Sequence, residues 1–481
     1  MGGELKEKVA QGVAWSMAEK IGSMLLAMAV RLVILRLLTR DILGFMSIPS
    51  AVVTVLLVIV DSGFSQSLVR HKGPSQSDYK SVFLFNIAVS AVLYGVLVTL
   101  APFAARWYGM PEIARIAPVF FLLLPLNALC AVQNTIFIRQ FRFALLSKVT
   151  FLSSLAGGLT AIALAMAGWG IWSLVAERVI AVGMRTALLW WLSDWRPCGK
   201  CGLKPLREMA PFGCSLMVTD LISNFYNKIP QFFLGKLYST AVLGSFDQAV
   251  KLKDMPAATG IQAVQNVTFP ALAKIRDDAP RFAEGYRQVV MVVSYVMFPI
   301  MLGMSAVARD MFAVLLGEEW MPTVPYFEAV CLAGLFSPIA LTAYNVLKAR
   351  CKGPLIVRLE VVKKIIMTAI FAVTIPHSVM AVVWGLVAIA FCEMAVNFLA
   401  TMRFTSLTFR RFVRTLLPVA LVSGTMYLLV RLTAAAIPGN DLVRLLAELA
   451  TGVVSYLALS ALFRLEAFRE VTTIVRRQLK K

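Results

Sequence analysis

Apolar runs long enough to cross a bilayer recur along the chain, separated by short charged or Pro/Gly breaks, and this pattern predicts membrane helices. The windows cover residues 12–37, 42–60, 82–105, 113–132, 150–168, 170–192, 212–236, 241–262, 287–308, 324–347, 357–375, 379–401, 414–436 and 442–463, fourteen in all. Breaks as short as Gly168-Trp169-Gly170 and Pro376-His377-Ser378 can join only antiparallel neighbours. The expected fold is therefore an all-α polytopic membrane protein.

Composition agrees with that reading. Of 481 residues 59% are hydrophobic and 15% charged, against roughly 45–50% and about 25% in soluble domains, which excludes an ordinary soluble enzyme. Lys and Arg number 47 and Asp and Glu 26. Sorted by loop, 35 of these cations fall on the side shared by both termini and 8 on the other, while Lys20, Arg31, Arg178 and Lys228 lie inside spans. This alternation is the positive-inside pattern of a chain with both ends cytoplasmic, and it accounts for the basic charge without nucleic-acid binding. No loop on the cation-poor side exceeds about 20 residues, so an enzyme that polymerises or ligates glycans there has nowhere to build a site.

The residues of catalysis and metal binding are sparse. Seven cysteines are scattered, Cys198 and Cys201 lack the second pair that a structural zinc would need, and the histidines are His71 and His377 alone. No catalytic residue, metal or cofactor is expected. The start, MGGELKEKVAQGVAW, reads as a retained first helix rather than a signal peptide.

A weak repeat runs through the chain. Gly12, Glu19 and Leu43-Gly44 are echoed by Gly213, Asp220 and Leu243-Gly244, and Gly109, Asn134 and Arg139 by Gly317, Asn345 and Lys348. It predicts an N-lobe over residues 1–192, a linker over 193–211, a C-lobe over 212–403, and two added helices with a basic tail over 404–481. Transporters built from repeats hold substrate where the repeats face each other.

Ionisable groups inside a membrane cost about 2.5–3.5 kcal/mol each on insertion scales, so those that persist usually face a cavity or a partner. Glu19 suits either a functional role or interfacial anchoring, whereas Arg31 lies deeper. Glu177 and Arg178 are adjacent and point about 100° apart, so each needs its own surroundings, an interhelical salt bridge being the structural alternative. The seventh span is unusually polar, with Asp220, Asn224, Asn227, Lys228 and Gln231, and Pro230 is expected to interrupt its hydrogen-bond ladder. Such a helix should line water, and a cavity with Arg31 and Lys228 on opposing walls would attract an anionic head group.

Several stretches resemble Wzx-type polysaccharide flippases of the MOP exporter superfamily. They are Asp61-Ser62-Gly63-Phe64-Ser65-Gln66-Ser67-Leu68-Val69-Arg70, Arg139-Gln140-Phe141-Arg142-Phe143, Gln265 to Leu272, and Gly317-Glu318-Glu319-Trp320. The resemblance implies fourteen helices, in two six-helix lobes around a central lumen plus two C-terminal helices. It also implies alternating-access flipping of undecaprenyl-diphosphate-linked oligosaccharide units across a bacterial inner membrane, for O-antigen, capsule or exopolysaccharide. Lumen cations would be Arg31, Lys228 and Arg178, with Asn224, Asn227 and Gln231 as lumen amides. Coupling to H+ or Na+ would fall to Glu19, Asp61, Asp220, Asp247 or Glu393, and a polysaccharide polymerase with chain-length machinery would be the partner. A multidrug antiporter of the same superfamily is the nearest alternative, expected to present an acidic, aromatic cavity; a membrane glycan polymerase or ligase is the other.

Overall fold

The computed structural model describes residues 22, 28–61, 63–71, 73–198, 201–256, 279–350, 353–405, 408–470 and 472. Glu19 and the Gln265–Leu272 stretch lie outside them. The described chain is helical: α1 (28–37), α2 (Arg40–Asp61), α3 (Phe64–Arg70), α4 (Gln76–Tyr108), α5 (Glu112–Phe120), α6 (Leu123–Arg139), α7 (Phe143–Met166), α8 (Ile171–Leu192) and α9 (Leu203–Leu237) lead into α10 (240–256). Then follow α11 (Ala279–Ala306), α12 (Ala308–Leu315), a 3-10 turn (Glu318–Thr323), α13 (Val324–Arg350), α14 (Gly353–Thr374), α15 (Val379–Thr401), α16 (Phe409–Ala436) and α17 (Asp441–Leu462). Each expected window overlaps helix. The window 113–132 is two helices, which turn at Phe121 and Leu122 between Pro118 and Pro125.

Among the described residues, nine helices are long and apolar enough to cross a membrane by length and composition. The chain is a multi-pass membrane protein. Three further helices fall short for a chemical reason: α8 carries Glu177, Arg178 and Arg185, α14 carries Arg358, Glu360, Lys363 and Lys364, and α9 is rich in amides and hydroxyls. Helices too polar for lipid on every side must spend part of their surface against protein or water.

Local signals explain several boundaries. Ser75 caps α4 in a reciprocal box with Asp78, with backbone–side-chain bonds of 2.7 and 3.2 Å, and Gly109 ends that helix at φ 68°. Gly317, its counterpart in the repeat, also has positive φ, 90°, and opens the 3-10 turn that seats the fully buried Trp320. α9 runs unbroken through Pro211 and Pro230 for 35 residues, so the expected interruption does not divide it.

The chain forms two compact units, Met1–Gly244 and Ser245–Lys481. Packing thus divides the chain later than the repeat does, and α9, expected to open the second lobe, packs on α2, α3 and α4. The cause is a backbone-to-backbone approach: a Cβ on Gly63 would sit 2.3 Å from the Gly213 carbonyl oxygen, which leaves glycine as the residue that fits. A second such approach joins α2 to the first turn of α10, where a Cβ on Gly44 would lie 1.9 Å from the Thr240 oxygen and one on Gly244 2.1 Å from the Arg40 oxygen. Aromatic rings fill the first unit's core, with Phe83 edge-on to Trp190 and Trp195 at 5.8 and 5.6 Å.

In the second unit Phe398 stacks on Phe412 at 3.9 Å, and the Tyr456 hydroxyl donates to the Tyr295 carbonyl at 2.6 Å. α16 shows how the sequence orients a span. Val419, Val422, Met426 and Val430 are buried, while Leu417, Leu421, Leu428 and Leu432 are exposed on the opposite face, as a helix between protein and lipid requires.

Candidate functional site

A cavity of about 330 Å3 opens in the first unit where α2, α3, α6 and α8 meet. Its polar lining is Asp61, Ser65, Gln66, Asn127, Asn134, Thr135 and Arg185. Asp61, at the end of α2, accepts a hydrogen bond from the Ser65 hydroxyl one turn away across the Gly63 turn. Arg185 donates to the Asn134 amide oxygen at 3.0 Å. Arg139, at the end of α6, donates to the carbonyls of Leu68 and His71, the latter at 2.7 Å. The last carbonyls of a helix have no internal partner, so this guanidinium caps α3 and holds the cavity's rim. Two stretches singled out in the sequence, around Asp61 and Arg139, are therefore joined at one place.

α9 supplies a polar stripe. Asp220, Asn224, Asn227, Lys228 and Gln231 lie within an arc of about 100° on the helix. Asp220 and Asn227 are exposed, Asn224 and Lys228 half-buried, and Gln231 is buried with its Oε1 lacking a hydrogen-bond partner among the described residues. Asn224 donates to the Asp220 carbonyl at 2.8 Å.

The other expected residues scatter. Arg31 is half-buried on α1. Arg178 is exposed and Glu177 half-buried on α8, and neither forms an ion pair among the described residues. Asp247 belongs to the second unit, is 3% exposed, and pairs with Lys251 at 2.5 Å within its own helix. Glu393, half-buried on α15, shares a small space with Lys363 and Cys392.

Sequence reasoning missed two cations, Arg185 and Lys363, because each was assigned to the loop next to its span. Lys363 is 8% exposed, pairs with Glu360 at 2.5 Å and lies 4.9 Å from the centre of the Tyr344 ring, with Lys348 at 4.4 Å from the same ring. The pattern of α14 contained the signal. Val357, Val361 and Ile365 form its exposed face at helical spacing, which turns Lys363 inward. Cys198, Cys201 and Cys214 are exposed free thiols, and no cluster of three or more metal-ligating side chains occurs among the described residues.

Residues 33–325, more than half of the chain, match the family described as "Polysaccharide biosynthesis protein". The chain belongs to this family. It is similar to the succinoglycan biosynthesis transport protein ExoT of Rhizobium meliloti (strain 1021), at 24% identity over 69% of this chain and 67% of ExoT. It is also similar to the lipopolysaccharide biosynthesis protein WzxC of Escherichia coli (strain K12), at 20% identity over 75% of this chain and 73% of WzxC. Among solved structures, the lipid II flippase MurJ in an inward closed conformation matches with a TM-score of 0.79 at 12% identity, covering 95% of this chain and all of that one. An inward-facing multidrug resistance MATE transporter of the MOP superfamily matches at 0.58, with 13% identity over 84% and 96% of the two chains. At these identities the likeness is one of fold. This member of the polysaccharide biosynthesis protein family therefore has the architecture of the MOP transporters.

Proposed function

We propose that this chain flips a lipid-linked oligosaccharide from one leaflet of a bacterial inner membrane to the other by alternating access, with both termini cytoplasmic. A diphosphate and several sugars must cross about 30 Å of hydrocarbon, where unpaired polar groups are heavily penalised. The protein has to stand in for water. The observation that carries the reading is the α9 stripe, a half-buried Lys228 flanked by Asn224 and Gln231 on a membrane helix. A fixed ammonium can neutralise a phosphate, and amides can replace sugar hydration.

Arg31, Arg178 and Lys228 are the proposed cargo-binding cations, joined by Arg185 of the polar cavity. Asp61, on that cavity's wall, is the best supported of the coupling candidates; Asp247 is already neutralised by Lys251. The family match and the relatives named for succinoglycan transport and lipopolysaccharide biosynthesis support a glycan cargo. An exporter of organic cations draws less support, since it would place carboxylates where these helices carry Arg and Lys. No bond is made or broken, and the partners expected are a polysaccharide polymerase and its chain-length machinery.

Deleting the chain and assaying lipid-linked oligosaccharides on each membrane face tests the proposal. Accumulation confined to the cytoplasmic face is expected, and equal distribution refutes flipping. The double variant Arg31→Ala/Lys228→Ala should insert normally and lose most surface polysaccharide; undiminished glycan output would eliminate the cationic cargo site.

A further inference from the structure

The end of the second unit where α16 begins and α17 finishes holds a cavity of about 480 Å3 walled by Arg287, Arg411, Arg414 and Arg464. Two carboxylates offset these charges in part. Arg287 donates to Glu284 at 2.6 Å and to Glu466 at 2.5 Å, and Arg411 to Glu284 at 3.0 Å. Arg414 and Arg464 have no ion-pair partner among the described residues. Four guanidiniums thus face two carboxylates, and the two unmatched ones border the same space.

The backbone at Arg464 is unusual. It has a φ of 49° just past the end of α17, where Leu465 N–H donates to the Ser460 carbonyl at 3.1 Å and Arg464 N–H to the Ala461 carbonyl at 3.2 Å. This is the helix-ending loop in which glycine normally takes the left-handed residue, because a side chain there is strained. An arginine held there carries its charge to the cavity wall against that strain.

The surroundings are apolar. Met291, Val419 and Leu465 contribute to the lining, Phe463 on the rim is exposed, and the exposed Leu417 and Leu421 lead away from the cavity along α16. Surplus positive charge beside an outward apolar helix face matches an amphiphile with an anionic phosphate and acyl chains. Sorting the cations by loop puts this end on the cation-rich side of the membrane.

We propose that the arginine-walled cavity binds the phosphate of an anionic glycerophospholipid, its acyl chains lying along α16. This site shares no residue with the proposed cargo-binding set and does not rest on that reading. The test uses the full chain in detergent micelles, titrated with dioctanoyl-phosphatidylglycerol, dioctanoyl-phosphatidylcholine and inorganic phosphate. Near a membrane surface one cation strengthens anion binding by roughly fivefold, so Arg414→Gln/Arg464→Gln should weaken phosphatidylglycerol binding by about 30-fold and leave the Arg287 network intact. Arg464→Gly should weaken it by about fivefold while raising thermal stability, a split that misfolding cannot produce. Unchanged binding by the double variant, equal binding of phosphatidylcholine, or displacement by inorganic phosphate at equal concentration would each overturn the proposal.

Discussion

Asp310 is 3% exposed on α12, and Arg444, from the first turn of α17, meets it with both arms of its guanidinium, one of them at 2.7 Å. Burial alone would raise the Asp310 carboxyl, but hydrogen bonding from Arg444 overrides it and holds the group below the usual carboxylate range. Replacing Asp310 by the isosteric Asn removes the charge and leaves a partly buried guanidinium with Asp441, at 2.8 Å, as its remaining ion-pair partner among the described residues. Breaking one side of a buried pair costs about 3–5 kcal/mol, and the Asp441 contact puts this case near the low end, about 3 kcal/mol. In a cooperative unit of this size that lowers the melting midpoint by roughly 6–12 °C, measurable by thermal unfolding of the detergent-solubilised protein. A double-mutant cycle with Arg444→Gln isolates the pair and should return a coupling of about 2 kcal/mol. A carboxyl whose folded pKa is depressed stabilises above its unfolded value and loses that contribution as pH falls through the folded one. The difference between wild type and Asp310→Asn should therefore be flat from pH 8 to 5 and shrink only below about 4. Glu448, a buried carboxyl that interacts with Asp310, is replaced by Gln in both the reference protein and the Asp310→Asn variant so that a second carboxyl does not contribute. A coupling under about 0.5 kcal/mol, or a difference that shrinks above pH 6, would refute the argument.

Three further outcomes are expected. Gly63→Ala adds a Cβ 2.3 Å from the Gly213 oxygen at a φ of 65°, so it should destabilise by at least about 2 kcal/mol and expose the α3 region to faster hydrogen exchange. Arg139→Ala leaves the last carbonyls of α3 uncapped; a loss of about 1–3 kcal/mol and faster exchange at Leu68–His71 should follow, with Arg139→Lys restoring part of it. Tags at Gly439 and Lys481 should label from opposite sides of the membrane, and same-side labelling would defeat the fourteen-span topology.

Most of the fold was legible because a span announces itself: about twenty apolar residues between breaks have no soluble alternative. The loop motifs were legible for a related reason. Gly63, Gly109 and Gly317 occupy positive-φ positions that other residues tolerate poorly, and Arg139 sits where an exposed helix end lacks partners. The site was harder to read. A cation near a span end looks the same whether it reaches outward to head groups or inward, and Arg185 and Lys363 turn inward through the rotation of their helices, which a count by loop ignores. The attachment of α9 to the first unit was hidden as well, since the contact that decides it is made by two glycines about 150 residues apart.

The unbroken α9 has a practical consequence. A rod of 35 residues is about 52 Å long, so it overreaches a hydrocarbon slab of roughly 30 Å by several turns. Any tilt during the working cycle is magnified at its projecting tip, by about 9 Å for every 10° about the far end. Cys201 stands two residues before that tip as an exposed free thiol. With the other cysteines replaced by Ser, a spin probe there, paired with a second on an introduced surface cysteine, would turn the lever's swing into a spectroscopic distance without altering any group that touches cargo.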